Sequence, residues 1–295
     1  MPHLDSKMST LLPPSSFTLH ISLQARQQAT PIPLNYTDSA NWLWSTRHDV
    51  FKLARFRPTQ NIFWQGACTV FGLDRYRLAR RLPSIAHQLP QNLPMHVVPM
   101  NWEGQLNGAP LWRQPRIEGF PMHWTCDNAY HIGRLCQRLH QHRSTRFGHY
   151  LLPANSLETW TSRLCMFLLP RLHLLPEDVR FNVMASLKTA PTVESAVPLM
   201  LDLRQDQFLS GEKGLFWIDW EAMVWAPLAF AWALYEVLIP RDFRAAFMVG
   251  MSNAQRPDLQ SHRLVARAYL YLVGAFGHAD WSEMRAIDHW LDEWI

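Results

Sequence analysis

The chain has 295 residues, 48% hydrophobic and 18% charged, which excludes a disordered chain and allows one large domain or two modest ones with real cores. The formal charge of +4 suits an anionic ligand such as a nucleotide, but outside the short cluster Arg75–Arg81 the basic residues are scattered. No basic face with interleaved aromatics is present, so a nucleic-acid partner is not expected. The cluster reads as a solvated helix face.

Residues 1–35 are rich in Pro, Ser and Thr and carry no periodicity, so an irregular N-terminal segment is predicted there. From Asn41 the pattern turns to β. Trp42–Ser45 reads as a short strand, Arg47-His48-Asp49 as a turn, and Val50–Phe56 alternates like a half-buried strand. Leu73–Ala86 reads as a helix with Leu78, Leu82 and Ile85 on one face. Val97-Val98 and Leu111-Trp112 bracket Asn107-Gly108, a hairpin turn signal. After this β-rich piece the chain is mostly helical. Asp127–His142 carries one apolar stripe through Ala129, Ile132, Leu135, Cys136 and Leu139. Asn155 with Glu158 and Asp280 with Glu283 look like capping boxes, and Pro176 suits a first helical turn. Ala222–Ile239 is apolar except for Glu236. It contains Pro227 and reads as a loop plus a helix buried in a soluble lobe, not as a membrane span, with Arg241 a candidate partner for Glu236. A small sheet-rich piece followed by a larger helical one predicts two lobes with a ligand cleft between them.

Cys68, Cys126, Cys136 and Cys165 form no CxxC pair and no zinc spacing. They read as reduced thiols of a cytoplasmic protein, and no secretory signal is expected. His140 and His142 fall on different helix faces, and His123 and His149 are isolated, so the histidines suggest no site and read as capping or surface residues.

The stretch that carries chemistry runs from Leu199 to Glu221. A carboxylate, Asp202, and an amide, Gln207, precede a short strand. The turn Gly211-Glu212-Lys213-Gly214 follows, and a second apolar strand ends in Asp219. Folding this hairpin brings Asp202, Gln207 and Asp219 to one end. Two carboxylates and an amide suit Mg²⁺ and phosphate chemistry, because magnesium takes hard oxygen ligands and few of them from protein. Phosphoryl transfer needs positioning and charge neutralisation more than covalent help.

These residues resemble the aminoglycoside phosphotransferase and choline kinase family. Its pattern reads His-Gly-Asp-Leu-His-Pro-x-Asn-(Ile/Phe)-Leu, a turn, then Ile-Asp-(Trp/Phe)-Glu. Asp202, Leu203, Phe208, Leu209, Ile218, Asp219, Trp220 and Glu221 match it, and Pro227 matches the proline that follows. The resemblance implies a two-lobed α+β protein kinase-like fold, with an N-lobe over 36–115 and a helical C-lobe over 116–295. It implies an ATP-dependent, Mg²⁺-dependent phosphotransferase acting on a hydroxyl of a small molecule. Asp202 would be the catalytic base, and Asp219 and Gln207 the metal ligands. Lys52 would hold the nucleotide phosphates, and the backbone of Gln114, Pro115 and Arg116 would meet adenine. Arg116–Pro121 would link the lobes. Met200 and Leu201 stand for His-Gly, Arg204 and Gln205 for His-Pro, and Phe230 for an acidic residue. No glycine-rich loop precedes Lys52, and Asp74 is its one acidic candidate partner on the following helix. These departures define the alternative, a pseudokinase that binds nucleotide or protein without transfer.

Overall fold

The computed structural model describes residues 11–34, 38–189, 193–275 and 280–294. Its first half holds α1 (Ser15–Ala25), β1 (Thr30–Ile32), β2 (Asn41–Ser45), β3 (Asp49–Ala54), α2 (Ile62–Phe71), α3 (Ile85–Gln88), β4 (His96–Val97), β5 (Asn101–Leu106) and β6 (Ala109–Pro115). Five strands form one antiparallel sheet in the order β1-β2-β3-β6-β5. The β2–β3 and β5–β6 hairpins supply four of them. The second closes through Asn107 and Gly108, both at positive φ (51° and 76°), the conformation that a tight two-residue hairpin turn requires.

The N-terminal segment is not irregular throughout. Ser15–Ala25 is helical, and Thr30–Ile32 pairs with Leu43–Ser45; residues 1–10 and 35 lie outside the described part. No periodicity announced α1 because it buries little of itself: Ile21 is its one fully buried side chain. With Ala29, Ile21 packs on Trp44, Phe51, Leu53, Leu106 and Leu111, forming a small separate core on one face of the sheet.

The helix expected over Leu73–Ala86 is also corrected. A regular helix, α2, precedes it, and the predicted span is turns followed by a single 3-10 turn and the four-residue α3. Asn61 caps α2 by accepting from the Trp64 amide, and Gly72 ends it in the left-handed region (φ 70°). The run Ile62–Phe71 hid this helix because it is apolar on nearly every face, so it shows no 3.6-residue period. Leu78, Leu82 and Ile85 are buried as expected, but turns deliver them.

The second half holds β7 (Phe120–Pro121), α4 (Cys126–His140), β8 (Arg146–His149), β9 (Leu152–Ser156), α5 (Trp160–Leu168), α6 (Glu177–Lys188), β10 (Ala196–Met200), β11 (Phe208–Gly211), β12 (Gly214–Trp217), β13 (Met223–Pro227), α7 (Leu228–Leu238), α8 (Arg244–Gly250), α9 (Gln260–Leu272) and α10 (Trp281–Ala286). Two small sheets lie among these helices, ordered β10-β13-β8-β9 and β4-β12-β11-β7. Asn155 is a strand residue paired with Phe147, so it caps nothing; α5 starts at Trp160 after a 3-10 turn. The loop expected before α7 is in fact the strand β13. Asp280 stands at the N-cap of α10 without a side-chain cap bond, and the predicted last helix is cut at Ile287.

The segment after Pro115 carries the chain from the first sheet into the second half, where β7 pairs with Leu209 and Ser210 of β11. Strand β4 also leaves the first half to pair, in parallel, with Phe216 and Trp217 of β12. The β11–β12 hairpin is therefore clasped on both edges by earlier segments. One continuous core runs through both halves, from Ala54, Trp64 and Trp112 to Trp217, Phe230 and Tyr269. This is a two-lobed α+β architecture with its hairpin at the junction. Among the described residues no helix is long and apolar enough to cross a membrane.

Candidate active site

Strand β10 is buried at every residue and ends just before Asp202. The chain then turns tightly: the Arg204 amide donates to the Asp202 carbonyl and the Gln207 amide to the Arg204 carbonyl. The Ile218 amide donates to the Gln207 carbonyl (3.0 Å), which fixes the open end of the hairpin and sets Asp219 just beyond it. Trp217 Nε1 donates to the Asp219 carbonyl and Trp220 Nε1 to the Val98 carbonyl, so two buried indoles hold the backbone on either side of the Asp219 side chain.

The side chains meet as follows. Gln207 Nε2 donates to Asp202 Oδ2 (3.1 Å). Arg204 bridges Asp202 (3.0 Å) and Asp206 (3.2 Å). Across the junction Lys52, buried on β3, donates from Nζ to the Ile218 carbonyl (2.9 Å) and lies 3.6 Å from Asp219 Oδ1 and 3.8 Å from Glu221 Oε1. Gln114 is buried as well, and its Nε2 donates to the same Ile218 carbonyl (3.2 Å). The hairpin end thus draws Asp202, Gln207, Asp219, Lys52 and Gln114 together.

Pro115 and Arg116 stand differently. Pro115 pairs with Asp49 at the end of β6, and the Arg116 amide donates to the His48 carbonyl (2.8 Å). That amide is committed to the sheet and is not free to meet an adenine ring. The Arg116 guanidinium turns to the Thr46 carbonyl.

The carboxylates are electrostatically crowded. Burial pushes the Asp202 carboxyl up to about 7; Arg204 works against this, and Asp206, Asp219 and Asp38 add to it. Burial likewise raises Asp206, against the pull of Arg204. Burial would lower the Arg204 guanidinium, but Asp202 and Asp206 outweigh it and hold it up. Asp202 therefore titrates where a proton acceptor is useful at neutral pH.

Several readings made from sequence are corrected by the structure. Arg75, assigned to a solvated face, is 1% exposed. It lies 4.4 Å above the Trp64 ring, pairs with Glu221 (2.5 Å) and donates to Asn41 Oδ1. Arg77, Arg80 and Arg81 of the same cluster are exposed. Asp74 does not approach Lys52; it accepts from the Tyr76 and Arg77 amides as a turn cap. Glu236 pairs with Arg263 (2.8 Å) and Arg267 (2.9 Å), not with Arg241. His140 and His149 are buried, not surface residues, and His140 Nε2 meets the Tyr235 hydroxyl. A basic cluster and an isolated histidine give no sequence signal of burial; only the tertiary packing hides them.

Among the described residues no group of three or more His, Cys, Asp or Glu is spaced to hold a metal ion by itself. The Asp219 side chain is 31% exposed and offers hard carboxylate oxygens, and the buried Gln207 carries a neutral amide oxygen beside it. This donor set fits Mg²⁺ that arrives on a nucleotide, because magnesium keeps waters and phosphate oxygens and needs only one or two protein ligands. It does not fit an all-protein cage. A groove of about 630 Å³ lies elsewhere, at the tip of the hairpin, between His96, Asp127, His131 and Lys213. The strands separate it from the carboxylates at the open end.

The fold defines the class: a two-lobed, protein kinase-like architecture of the kind found in small-molecule phosphotransferases. A choline kinase from Streptococcus pneumoniae superposes with a TM-score of 0.56 at 13% identity, covering 92% of this chain and 91% of that one. A macrolide 2'-phosphotransferase from Brachybacterium faecium gives 0.52 at 13% identity, covering 92% and 97%. The GDP complex of an aminoglycoside 2'-phosphotransferase gives 0.54 at 13% identity, covering 94% of each chain. At these identities the likeness is one of fold. No protein-family model and no curated protein matches the sequence.

Proposed function

We propose that this protein transfers a phosphoryl group from ATP to a hydroxyl of a small molecule. The observation that carries the reading is the convergence of Asp202, Gln207, Asp219 and Lys52 at the open end of the hairpin, within the fold common to small-molecule phosphotransferases. Asp202, titrating near 7, orients the acceptor hydroxyl and takes its proton as the oxygen bonds to phosphorus and the nucleoside diphosphate leaves. Asp219 and the Gln207 amide oxygen would hold the nucleotide's magnesium, which would supply neutralisation of phosphate charge. Lys52 places a cation beside Asp219 for the phosphates. Segment 114–116 borders the nucleotide through Gln114, whose side chain bonds the hairpin. The N-lobe is read as 36–115 and the C-lobe as 116–295, and the protein as cytoplasmic.

A second reading, a pseudokinase, is favoured by one observation. Arg204 sits on the Asp202 carboxylate and ties it to Asp206, where a free base is wanted. Thermal melting with and without Mg-ATP, on wild type and Asp219→Ala, tests the nucleotide site. Ligand at 100 times its dissociation constant stabilises by about 2.7 kcal/mol. A magnesium-dependent shift in wild type that is lost in the variant supports the site; no shift in either refutes it. Turnover in an acceptor screen then separates enzyme from pseudokinase.

A further inference from the structure

Lys52 lies with its ammonium 3.6 Å from Asp219 Oδ1, and a flexible lysine stem needs a fixed counter-charge to hold that aim. Helix α2, which follows β3 in the chain and packs on α5, β8 and β13, has the sequence Ile62-Phe-Trp-Gln-Gly-Ala-Cys-Thr-Val-Phe71 and offers no carboxylate. Asp74, the next acidic residue, is spent on the Tyr76 and Arg77 amides. The counter-charge comes from the other half of the chain. Glu221 is 2% exposed, with Oε1 3.8 Å from Lys52 Nζ.

Glu221 is itself held on every side. Asn41 Nδ2 of β2 donates to its Oε1 (3.2 Å), and Arg75 Nη2 lies 2.5 Å from its Oε2. Arg75 is fixed in turn: it donates to Asn41 Oδ1 and the Ala40 carbonyl, and its guanidinium stacks between Trp64 (4.4 Å) and Trp112 (5.4 Å). In a buried network of this kind, a member that moves leaves a buried polar or charged partner unpaired, and that cost holds the arrangement in place.

We infer that Glu221 is the positioning residue for Lys52, supplied by the C-terminal half and locked by Arg75 and Asn41, in place of a carboxylate on the small-lobe helix. The lysine is thereby fixed by the same hairpin end that carries Asp219, and no movement of α2 is needed to complete the phosphate site. This rests on the reading of Lys52 as a phosphate ligand.

The test uses the four lysines of the chain, Lys7, Lys52, Lys188 and Lys213, as reporters. Metabolic ¹³C labelling at the lysine ε-carbon yields four signals, and Lys52→Arg identifies that of Lys52. In wild type the Lys52 signal is that of a rigid side chain. Glu221→Gln should make it mobile and weaken Mg-ATP binding on the order of tenfold or more, whereas Asp74→Asn should change neither. Should Glu221→Gln fail to fold, the double variant Arg75→Met/Glu221→Gln removes that buried ion pair together and carries the same expectation for Lys52. A Lys52 signal that stays rigid in the folded variant overturns the assignment and leaves Asp219 and the Ile218 carbonyl as its anchors. Absence of Mg-ATP binding to wild type overturns the kinase reading instead, and the rigidity of Lys52 still decides the role of Glu221.

Discussion

Asp202 concentrates the residue-scale argument. Its carboxyl is about three-quarters buried and accepts from Gln207 while paired with Arg204. Asp202→Asn keeps the shape and removes the proton acceptor. The expected outcome is loss of transfer by at least 10²-fold with the Mg-ATP melting shift retained, read from initial rates and melting on one preparation. Titration gives a second check. The folded pKa of Asp202 is raised to about 7, so between the ordinary carboxylate range and pH 7 the native state holds a proton that the unfolded chain lacks. That group alone makes stability fall as pH rises through this window. His140 and His149 act in the opposite sense: burial lowers them to about 3 and about 4, so the native state stays neutral where the unfolded chain is protonated, and stability falls as pH drops below about 6.5. Asp202→Asn removes the opposing term. The rise of stability from pH 4.5 to 6.5 should steepen by up to about 1.4 kcal/mol per pH unit, measured by denaturant unfolding at several pH values. An unchanged slope would place the Asp202 titration outside that window.

At the scale of elements, α4 and α8 approach each other backbone to backbone. A Cβ on Gly133 would lie 2.2 Å from the Phe247 carbonyl oxygen, and one on Gly250 would lie 2.3 Å from the Tyr130 carbonyl oxygen. Both obstacles are backbone, so neither can yield by a rotamer change. Gly133→Ala must push the helices apart and should cost about 1–3 kcal/mol, visible as a lower denaturant midpoint at unchanged m. The elements also mark how far sequence reasoning reached. The turns at Asn107-Gly108 and Gly211–Gly214 and helix α4 were legible, because turn chemistry and a single apolar stripe are local signals; Val97-Val98, expected to flank the first turn, is not in that hairpin, since Asn101–Leu106 pairs with β6 and Val97 pairs with Trp217. Helix α2 was not, since apolar residue types on nearly every face of Ile62–Phe71 leave no period to read, although only one side is buried. The helix expected over Leu73–Ala86 failed for the converse reason: its apolar spacing fits a helix, but turns meet the same burial. Asn155 had the residue types of a cap yet was claimed by pairing with Phe147.

For the whole molecule, the two halves are joined by buried polar contacts as well as by core. Lys52 and Gln114 bond the Ile218 carbonyl, Arg75 and Asn41 bind Glu221, and Trp220 bonds Val98. Arg75→Ala would take from Glu221 the nearer of its two cations and should destabilise by about 3–5 kcal/mol in equilibrium denaturation. A loss below 1 kcal/mol would mean that the junction admits water in solution. The sequence by itself determined the chemistry-bearing segment Leu199–Glu221, the two-lobed α+β class and the identity of the residues drawn to one end of the hairpin, because strand, turn and strand are contiguous and their geometry is local. Only the tertiary structure decided what those residues face. That Lys52 meets Glu221 and that Arg75 is buried against the same carboxylate depend on contacts between positions far apart in the chain, and no local pattern encodes the charge that packing brings alongside.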